Sequence, residues 1–435
     1  MKETIFAFRQ GKSTLETKSY TLDKGEVLLV RGPAAVRAES KGSSVLGIHI
    51  EIGDKIVVRK NKVLPFEADE DDSLIQVNLG GKGESWITRD KVGMRIWKDL
   101  EENVFKNFES DKKKLMIIGE TDSGKSTLTS YLVNMALMRG LRVIIIDGDI
   151  GQGDLAPPGC IGAAIVRNKI YDLRDLRADT FGFLGFTSPR YVRDLIIKRM
   201  KKTISCIEKR EHDFCIMNTD GYVADEGMDY KIDMIQEIKP EIIICFKEID
   251  KELLKRLKDF DKAPIMISAD KPEGVVKSFS ERSERRLSQY FRFLKDGRDL
   301  SIGLSRIKLS FMEDFYEHNL SNIELKEVAQ RLSSNILFAK RADNKIILFI
   351  SDTNDVIEIF GRFTIFNQSS LKGMFIGLGS NDDVSGFAQI NKLHPNQIIT
   401  INTNFKGNFD TLFLSSIRIS PDLRNEAILP ILRKS

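Results

Sequence analysis

The stretch Gly119-Glu-Thr-Asp-Ser-Gly-Lys-Ser126 constrains what this chain can fold into more than any other. It fits the phosphate-binding loop G-x-x-x-x-G-K-[ST] at every position. Such a loop works between a buried strand and a helix, because it presents a concave set of backbone N–H groups at a helix N-terminus. The flanks agree. Leu115-Met-Ile-Ile118 reads as a buried strand, and Ser126 to Arg139 as a helix with Leu128, Leu132 and Met135 on one face and Gly140 as its stop. The glycines let the chain curl tightly and let phosphate come close. The expected nucleotide-binding residues are Gly119, Glu120, Thr121, Asp122, Ser123, Gly124, Lys125, Ser126 and Thr127. Lys125 is expected to reach the β- and γ-phosphates, and the Ser126 hydroxyl to sit on Mg²⁺ or another divalent cation. The sequence therefore predicts binding of a nucleoside triphosphate, ATP or GTP.

A second strand, Val143-Ile-Ile-Ile146, ends in Asp147-Gly-Asp149-Ile-Gly-Gln152-Gly. The expectation is a strand beside the phosphate loop, with a magnesium-associated Asp at its tip. Two aspartates two apart on extended chain point the same way. Asp147 and Asp149 can therefore divide the work between metal and nucleophile.

With 435 residues, 41% hydrophobic and 30% charged, the chain reads as soluble and globular, with two or three domains. A net charge of +4 says little about partners; local clustering matters more. Cys160, Cys206, Cys215 and Cys245 show no C-x-x-C spacing and read as core residues in a reducing compartment. His49, His212, His318 and His394 are scattered, which argues against a Cys/His metal site. The opening Met-Lys-Glu-Thr-Ile lacks a signal-peptide hydrophobic region, and no apolar run approaches the ~20 residues of a membrane helix. The expectation is a cytoplasmic protein without membrane attachment, or a nuclear one if the cell has a nucleus.

The predicted fold class is α/β. A central P-loop NTPase domain with a parallel sheet is flanked by a β-rich, sandwich-like N-terminal domain and a β-rich C-terminal domain. Residues 1–98 are read as the first domain, 99–300 as the kinase-like core with a lid near 277–298, and 301–435 as the third. Ile48, Ile50 and Ile52 alternate with polar residues and Gly, which predicts a strand followed by a Gly53-Asp54 turn. Residues 99–114 are charged and helix-like. Strands are expected at 115–119, 143–147, 214–218, 242–246 and 264–268, with helices between them on both faces.

Further motifs carry a family resemblance. The phosphate loop, Asp147-Gly-Asp-Ile-Gly-Gln-Gly-Asp154 and Pro158-Gly-Cys-Ile-Gly-Ala163 together look like one family. It is the polynucleotide 5′-hydroxyl kinases related to the P-loop subunit of the pre-mRNA cleavage complex and to the kinases of tRNA splicing and pre-rRNA processing. Gly185-Phe-Thr-Ser-Pro189 is similar to the family's G-x-x-S-P segment, Thr219-Asp-Gly-Tyr222 to its T-x-G-W clasp, and Arg282-Ser-Glu-Arg-Arg286 to its R-x-x-x-R lid. The resemblance spans nearly the whole chain, with the strongest motifs in 115–290. It implies Asp149 as general base on the acceptor 5′-hydroxyl. Asp147 and Gln152 would support metal and water. Thr187 and Thr219 would hold the substrate's terminal phosphate end, with Tyr222 and Arg285 also on the substrate. Arg282 and Arg286 would close over the transferring phosphoryl group. Phosphoryl transfer is mostly positioning and charge stabilisation, so lid cations matter greatly. Tyr222 departs from the family's Trp; the smaller ring can still stack on a base or ribose.

Two locally basic segments flank these motifs: Arg190, Arg193, Lys198, Arg199, Lys201 and Lys202, and then Lys277, Arg282, Arg285, Arg286, Arg292, Lys295 and Arg298. Both are expected to be helical and to offer phosphate contacts to a nucleic-acid strand. The resemblance implies RNA or single-stranded DNA 5′ ends as partners, with an RNA-processing nuclease or ligase alongside. A non-catalytic ATP-binding scaffold subunit of an RNA-processing complex is the alternative. A GTPase switch does not fit, because Phe246-Lys-Glu-Ile-Asp250 stands where N-K-x-D would be required.

Overall fold

The computed structural model describes residues 16–89, 93–106, 113–257, 260, 263–272, 278–332 and 335–434. The opening pentapeptide, Lys277 and residues 107–112 lie outside the described residues; of the 99–114 helix expectation, the helix Lys98–Lys106 is seen, while Lys113 and Lys114 instead begin the strand Lys113–Ile118, because they continue into the apolar run that follows.

The apolar runs that alternate with amphipathic segments form a parallel sheet in the order Ile265–Ala269, Ile242–Phe246, Lys113–Ile118, Phe214–Thr219, Val143–Gly148. This corrects one expectation. The strand bearing Asp147 is not the neighbour of the phosphate-loop strand, because Phe214–Thr219 lies between them. Alternating strand and helix patterns fix which segments are strands but not their lateral order. The insertion places Asn218, Thr219 and Asp220 next to the phosphate loop.

The sheet does not stop at the parallel strands. Cys160–Val166 adds antiparallel to Val143–Gly148, then Thr180–Phe183, and Phe181 pairs with Val384 of Asp383–Leu393. Arg298–Gly303 pairs with Ile398–Thr403, so strand pairing crosses the expected boundary at residue 300. Within the C-terminal part a further sheet accompanies a helix, Asn322–Leu332.

The two faces of the parallel sheet are buried against different partners. Met116 and Ile118 face a core shared with helices Arg193–Ile207 and Glu226–Ile238 and with C-terminal strands. Leu115 and Ile117 face a core shared with the phosphate-loop helix Lys125–Met138 and the N-terminal domain. That helix is therefore buried on both sides. Tyr131, Val133 and Ala136 are as buried as the predicted Leu128, Leu132 and Met135. No described helix is long and apolar enough to cross a membrane.

The N-terminal domain is a sandwich of a four-stranded and a five-stranded sheet. Leu28, Val30 and Phe66 from one sheet meet Val36, Ile56 and Val77 from the other in a single core. The isoleucine alternation over 48–52 produces only the short strand Ile48–His49, and Ile52 is exposed. The chain turns there, with Leu46 and Gly47 both at positive φ.

Candidate active site

Gly124 takes the left-handed conformation that opens the phosphate-loop helix, at φ 101°. Asp122 also sits at positive φ, 62°, unusual for a residue with a side chain. Gly119 is required by packing, since a Cβ there would lie 2.6 Å from the Phe246 ring. Lys125 is buried, and its ammonium donates to the carbonyls of Gly119, at 2.8 Å, and Glu120, at 2.6 Å. Burial pushes its pKa down to about 8, with nearby Asp149 opposing that effect. A triphosphate favours the protonated lysine, so binding at higher pH must take up a proton. Nucleotide affinity is therefore expected to be flat near pH 7 and to weaken by up to about tenfold per pH unit above about 8. Calorimetric titration across pH 7–10 checks this, and Lys125→Met should flatten the dependence.

The loop forms one side of a cleft whose other side the sequence did not reveal. Leu29, Val63 and Pro65 of the N-terminal sandwich, with Met94 and Trp97, line the same pocket as Thr121–Thr127, Asp149, Gln152 and Arg285. The Trp97 indole donates to the carbonyl of Asp270 at 2.9 Å, which fixes its ring under the loop. An apolar wall beside a phosphate cradle suits a nucleotide base. Trp97, a large apolar residue just before a charged helix, was the available signal.

Asp147 and Asp149 separate in role. Asp147 is 2% exposed. One of its oxygens accepts from the backbone of Asp154 at 2.6 Å and of Leu155 at 3.2 Å, and the other from the Asn218 amide at 3.0 Å. Burial pushes its pKa up to about 6, with Asp154 and Asp149 adding to the effect. Its carboxylate thus holds the 153–155 loop. Asn218 links it to the phosphate loop, since the same amide reaches the Ser126 hydroxyl at 3.4 Å. Asp149 lies in the cleft. Its Oδ1 accepts from the backbone N–H of Gly151 at 3.1 Å and Gln152 at 2.8 Å, which aims the carboxylate. Burial and then Asp220 push its pKa up, while Lys125 acts the other way.

The clasp segment presses directly on the phosphate loop. A Cβ at Gly221 would fall 2.5 Å from the Thr121 nitrogen, so only glycine allows the contact. Thr219 is fully buried and its hydroxyl donates to the Ile117 carbonyl at 2.8 Å. It cross-links two strands. Tyr222 is partly buried, its ring centroid 6.4 Å from that of Tyr230. Thr187 borders the Asp149 loop, with its carbonyl 2.8 Å from where a Gly151 Cβ would sit.

Sequence reasoning missed Lys231, which is wholly buried behind this site. Its ammonium lies 3.0 Å from Asp220 Oδ1, and the Tyr230 hydroxyl donates to Asp220 Oδ2 at 2.9 Å. Gly227, Met228, Tyr230, Lys231, Met234 and Ile235 share the buried face of helix Glu226–Ile238. A lysine in that apolar stripe needs a buried carboxylate, and this spacing was the legible signal.

The lid helix Phe279–Leu294 starts with a capping box in which Ser278 Oγ accepts from the Glu281 N–H at 3.2 Å. Its arginines go to three places. Arg282 donates to Asp122 of the phosphate loop at 2.8 Å. Arg285 donates to the buried Asp154 at 2.6 Å, beside Arg174 and Asp172, which anchors the lid. Arg286 turns to the C-terminal part, where its Nε donates to Glu426 at 2.6 Å. Gln152 reaches the Arg282 carbonyl at 3.4 Å. Lys60 pairs with Glu284 at 2.6 Å, so the N-terminal domain also holds the lid. Loss of Arg282 should therefore exceed loss of Arg286. We expect Arg282→Ala to slow transfer by about 10³-fold and Arg286→Ala by at least tenfold less, in single-turnover assays.

The first basic segment is mostly consumed by structure. Lys198 pairs with Glu313 at 2.6 Å, Lys202 with Asp382 at 2.8 Å, Lys201 with Glu237 at 2.5 Å and Arg199 with Asp382. Arg193 pairs with Glu226 at 3.2 Å. These residues join helices and the C-terminal part, so the expected run of nucleic-acid contacts shrinks to its exposed beginning at Arg190. In the second segment Arg292 donates to the carbonyls of Asp154 and Leu176, at 2.9 and 2.6 Å.

A phosphate loop on a parallel sheet, an acidic cleft residue and an arginine lid define a P-loop nucleotide-binding protein. Residues 119–296 match the family model of the mRNA cleavage and polyadenylation factor CLP1 P-loop. The polyribonucleotide 5′-hydroxyl-kinase of Pyrococcus abyssi is 28% identical over 268 residues, 61% of this chain and 75% of that protein. That of Pyrococcus horikoshii is 29% identical over 280 residues, 63% of this chain and 75% of that protein. A CLP1 homolog of Brugia malayi is 27% identical over 260 residues, covering 54% of this chain and 59% of its own. The Clp1p structure solved in the wild-type Clp1p–Pcf11p complex has a TM-score of 0.67 over 93% of this chain and 99% of that chain. At 14% identity, that likeness shows the fold.

Proposed function

We propose that this chain is a polynucleotide 5′-hydroxyl kinase, moving the γ-phosphate of ATP or GTP onto the 5′-hydroxyl of RNA, and also of single-stranded DNA, in RNA processing or repair. The observation that carries this reading is the placement of Asp149 in the same pocket as the phosphate loop, its carboxylate aimed by two backbone N–H groups. The names of the archaeal relatives support it.

Asp149 accepts the proton of the acceptor hydroxyl as its oxygen attacks the γ-phosphorus. The bond from that phosphorus to the β-bridging oxygen breaks, and the nucleoside diphosphate leaves. Lys125 and the loop N–H groups hold the phosphates, and Arg282 moves from Asp122 to the transferring group. A divalent cation fits beside Ser126. The buried Asn218 Oδ1 there has no hydrogen-bond partner among the described residues, and an oxygen of that kind suits a cation or its water. When bound, the cation neutralises charge on the β- and γ-phosphate oxygens. The cleft wall of Leu29, Val63, Pro65 and Trp97 takes the base. The protein would act in the cytoplasm, or in the nucleus of a nucleated cell, with a nuclease or ligase that works on the same RNA ends.

The test is incubation of purified protein with γ-labelled nucleotide and 5′-hydroxyl oligonucleotides of RNA and DNA. Labelled 5′-phosphorylated product is the expected result. No product on any acceptor, with tightly retained ATP, would replace this reading with a nucleotide-holding scaffold.

A further inference from the structure

Phe186 and Val192 are both anchored in the core on the sheet face that carries helix Arg193–Ile207. Between them the chain makes a short 3₁₀ turn, Pro189–Tyr191, closed by the Val192 N–H donating to the Pro189 carbonyl at 3.0 Å. The anchors force the residues between them outward. Tyr191 is 74% exposed, and its hydroxyl has no partner among the described residues. A single exposed aromatic is ordinary on a protein surface. The position of this one is not. Four residues before it, Thr187 abuts the Asp149 loop. Two residues after it, Arg193 donates at 3.2 Å to the carbonyl of Glu226, the first residue of the helix that follows the clasp segment. Tyr191 thus stands on a turn that starts beside the Asp149 loop and ends at the helix following the clasp. Arg190 beside it is also exposed and makes no ion pair among the described residues, unlike Arg193, Lys198, Arg199, Lys201 and Lys202.

An aromatic face next to an unneutralised cation is the pairing that grips single-stranded nucleic acid, the ring stacking on a base and the cation taking a phosphate. We propose that Tyr191 and Arg190 form a docking ledge for the acceptor strand beyond its first nucleotide. The Tyr191 ring stacks on the base 3′ to the nucleotide being phosphorylated, and Arg190 contacts an adjacent phosphate. The inference rests on the kinase reading above. It makes the enzyme prefer strands over single nucleotides without reading base identity, because every base offers a stacking face.

Steady-state kinetics with a nucleoside 3′-phosphate, a 5′-hydroxyl dinucleotide and a 5′-hydroxyl hexanucleotide test this. For wild-type protein, KM should fall between the first acceptor and the other two. Tyr191→Ala should raise KM for the hexanucleotide about tenfold, leave kcat within about twofold and leave the nucleoside 3′-phosphate unaffected. Tyr191→Phe should behave as wild type, since the ring and not the hydroxyl carries the contact. An abasic second position should remove the Tyr191→Ala penalty, as expected for two groups in one interaction. Arg190→Ala should weaken binding of all sequences alike and reduce the salt slope by about one. Unchanged KM for every acceptor in Tyr191→Ala, or an equal rise for the nucleoside 3′-phosphate, would overturn the inference. Should wild-type protein transfer phosphate to no acceptor, the kinase reading falls by itself. Fluorescence anisotropy with the labelled hexanucleotide then decides the ledge: about tenfold weaker binding by Tyr191→Ala supports it, and equal binding refutes it. Tyr191 is exposed, so the variant's melting temperature should match wild type.

Discussion

Asp149→Asn is expected to lower phosphoryl transfer by about 10²–10⁴-fold, the range for removing a positioned general base. Nucleotide binding should change little. The substitution keeps size and keeps one oxygen to accept from the Gly151 and Gln152 N–H groups that aim the side chain. It removes the lone pair able to take the acceptor proton. Single-turnover transfer to a 5′-hydroxyl oligonucleotide, with nucleotide affinity measured in parallel, separates the two effects. A variant with wild-type transfer would remove Asp149 from the chemistry. A variant that lost nucleotide affinity in proportion to rate would make it a binding residue instead. Asp147→Asn should behave differently. Its carboxylate is committed to the backbone of Asp154 and Leu155 and to Asn218, so the loss should appear mainly in stability.

Lys231→Met is expected to destabilise the fold by about 3–5 kcal/mol, because it leaves Asp220 as a buried carboxylate without its ion partner. Burial disfavours the Lys231 charge and holds its pKa below the usual lysine value, with Asp220 acting in the opposite direction. The pair therefore survives through mutual contact and the Tyr230 hydroxyl, not through solvation. A fall in melting temperature of roughly 3–6 °C should follow. The double variant Asp220→Asn, Lys231→Met should recover much of the loss, since no uncompensated charge remains. Equal stability of Lys231→Met and wild type would mean that the Lys231–Asp220 contact does not hold the fold. Asp220 also accepts from the Tyr222 N–H at 2.9 Å, so the single variant should loosen the clasp as well as the core.

What was readable in the sequence was local. The phosphate loop sits at its predicted strand-to-helix junction because glycines and a buried strand impose that geometry over neighbouring residues. The parallel strands appeared as apolar runs, and each was placed within a residue or two. Asp149 was legible from its motif, and the archaeal and CLP1 relatives agree with the family that the motifs suggested. Short strands such as Cys160–Val166, rich in Gly and Ala, carried no such period and were read only as a motif.

The rest was decided by the tertiary fold. Strand order put Phe214–Thr219, not Val143–Gly148, beside the phosphate-loop strand. That order turned Thr219 inward and set Asp220 against Lys231. The lid arginines, identical in the sequence pattern, were divided among Asp122, Asp154 and Glu426 by whichever carboxylate lay opposite each turn of the helix. Six basic residues in one stretch looked alike until most were paired with acids from distant segments. The physical reason is the range of each effect. Backbone conformation and burial pattern are set within a few residues, so the chain itself determined the phosphate cradle. A charge takes its role from what lies within about 4 Å of it, and only the folded molecule supplies those neighbours.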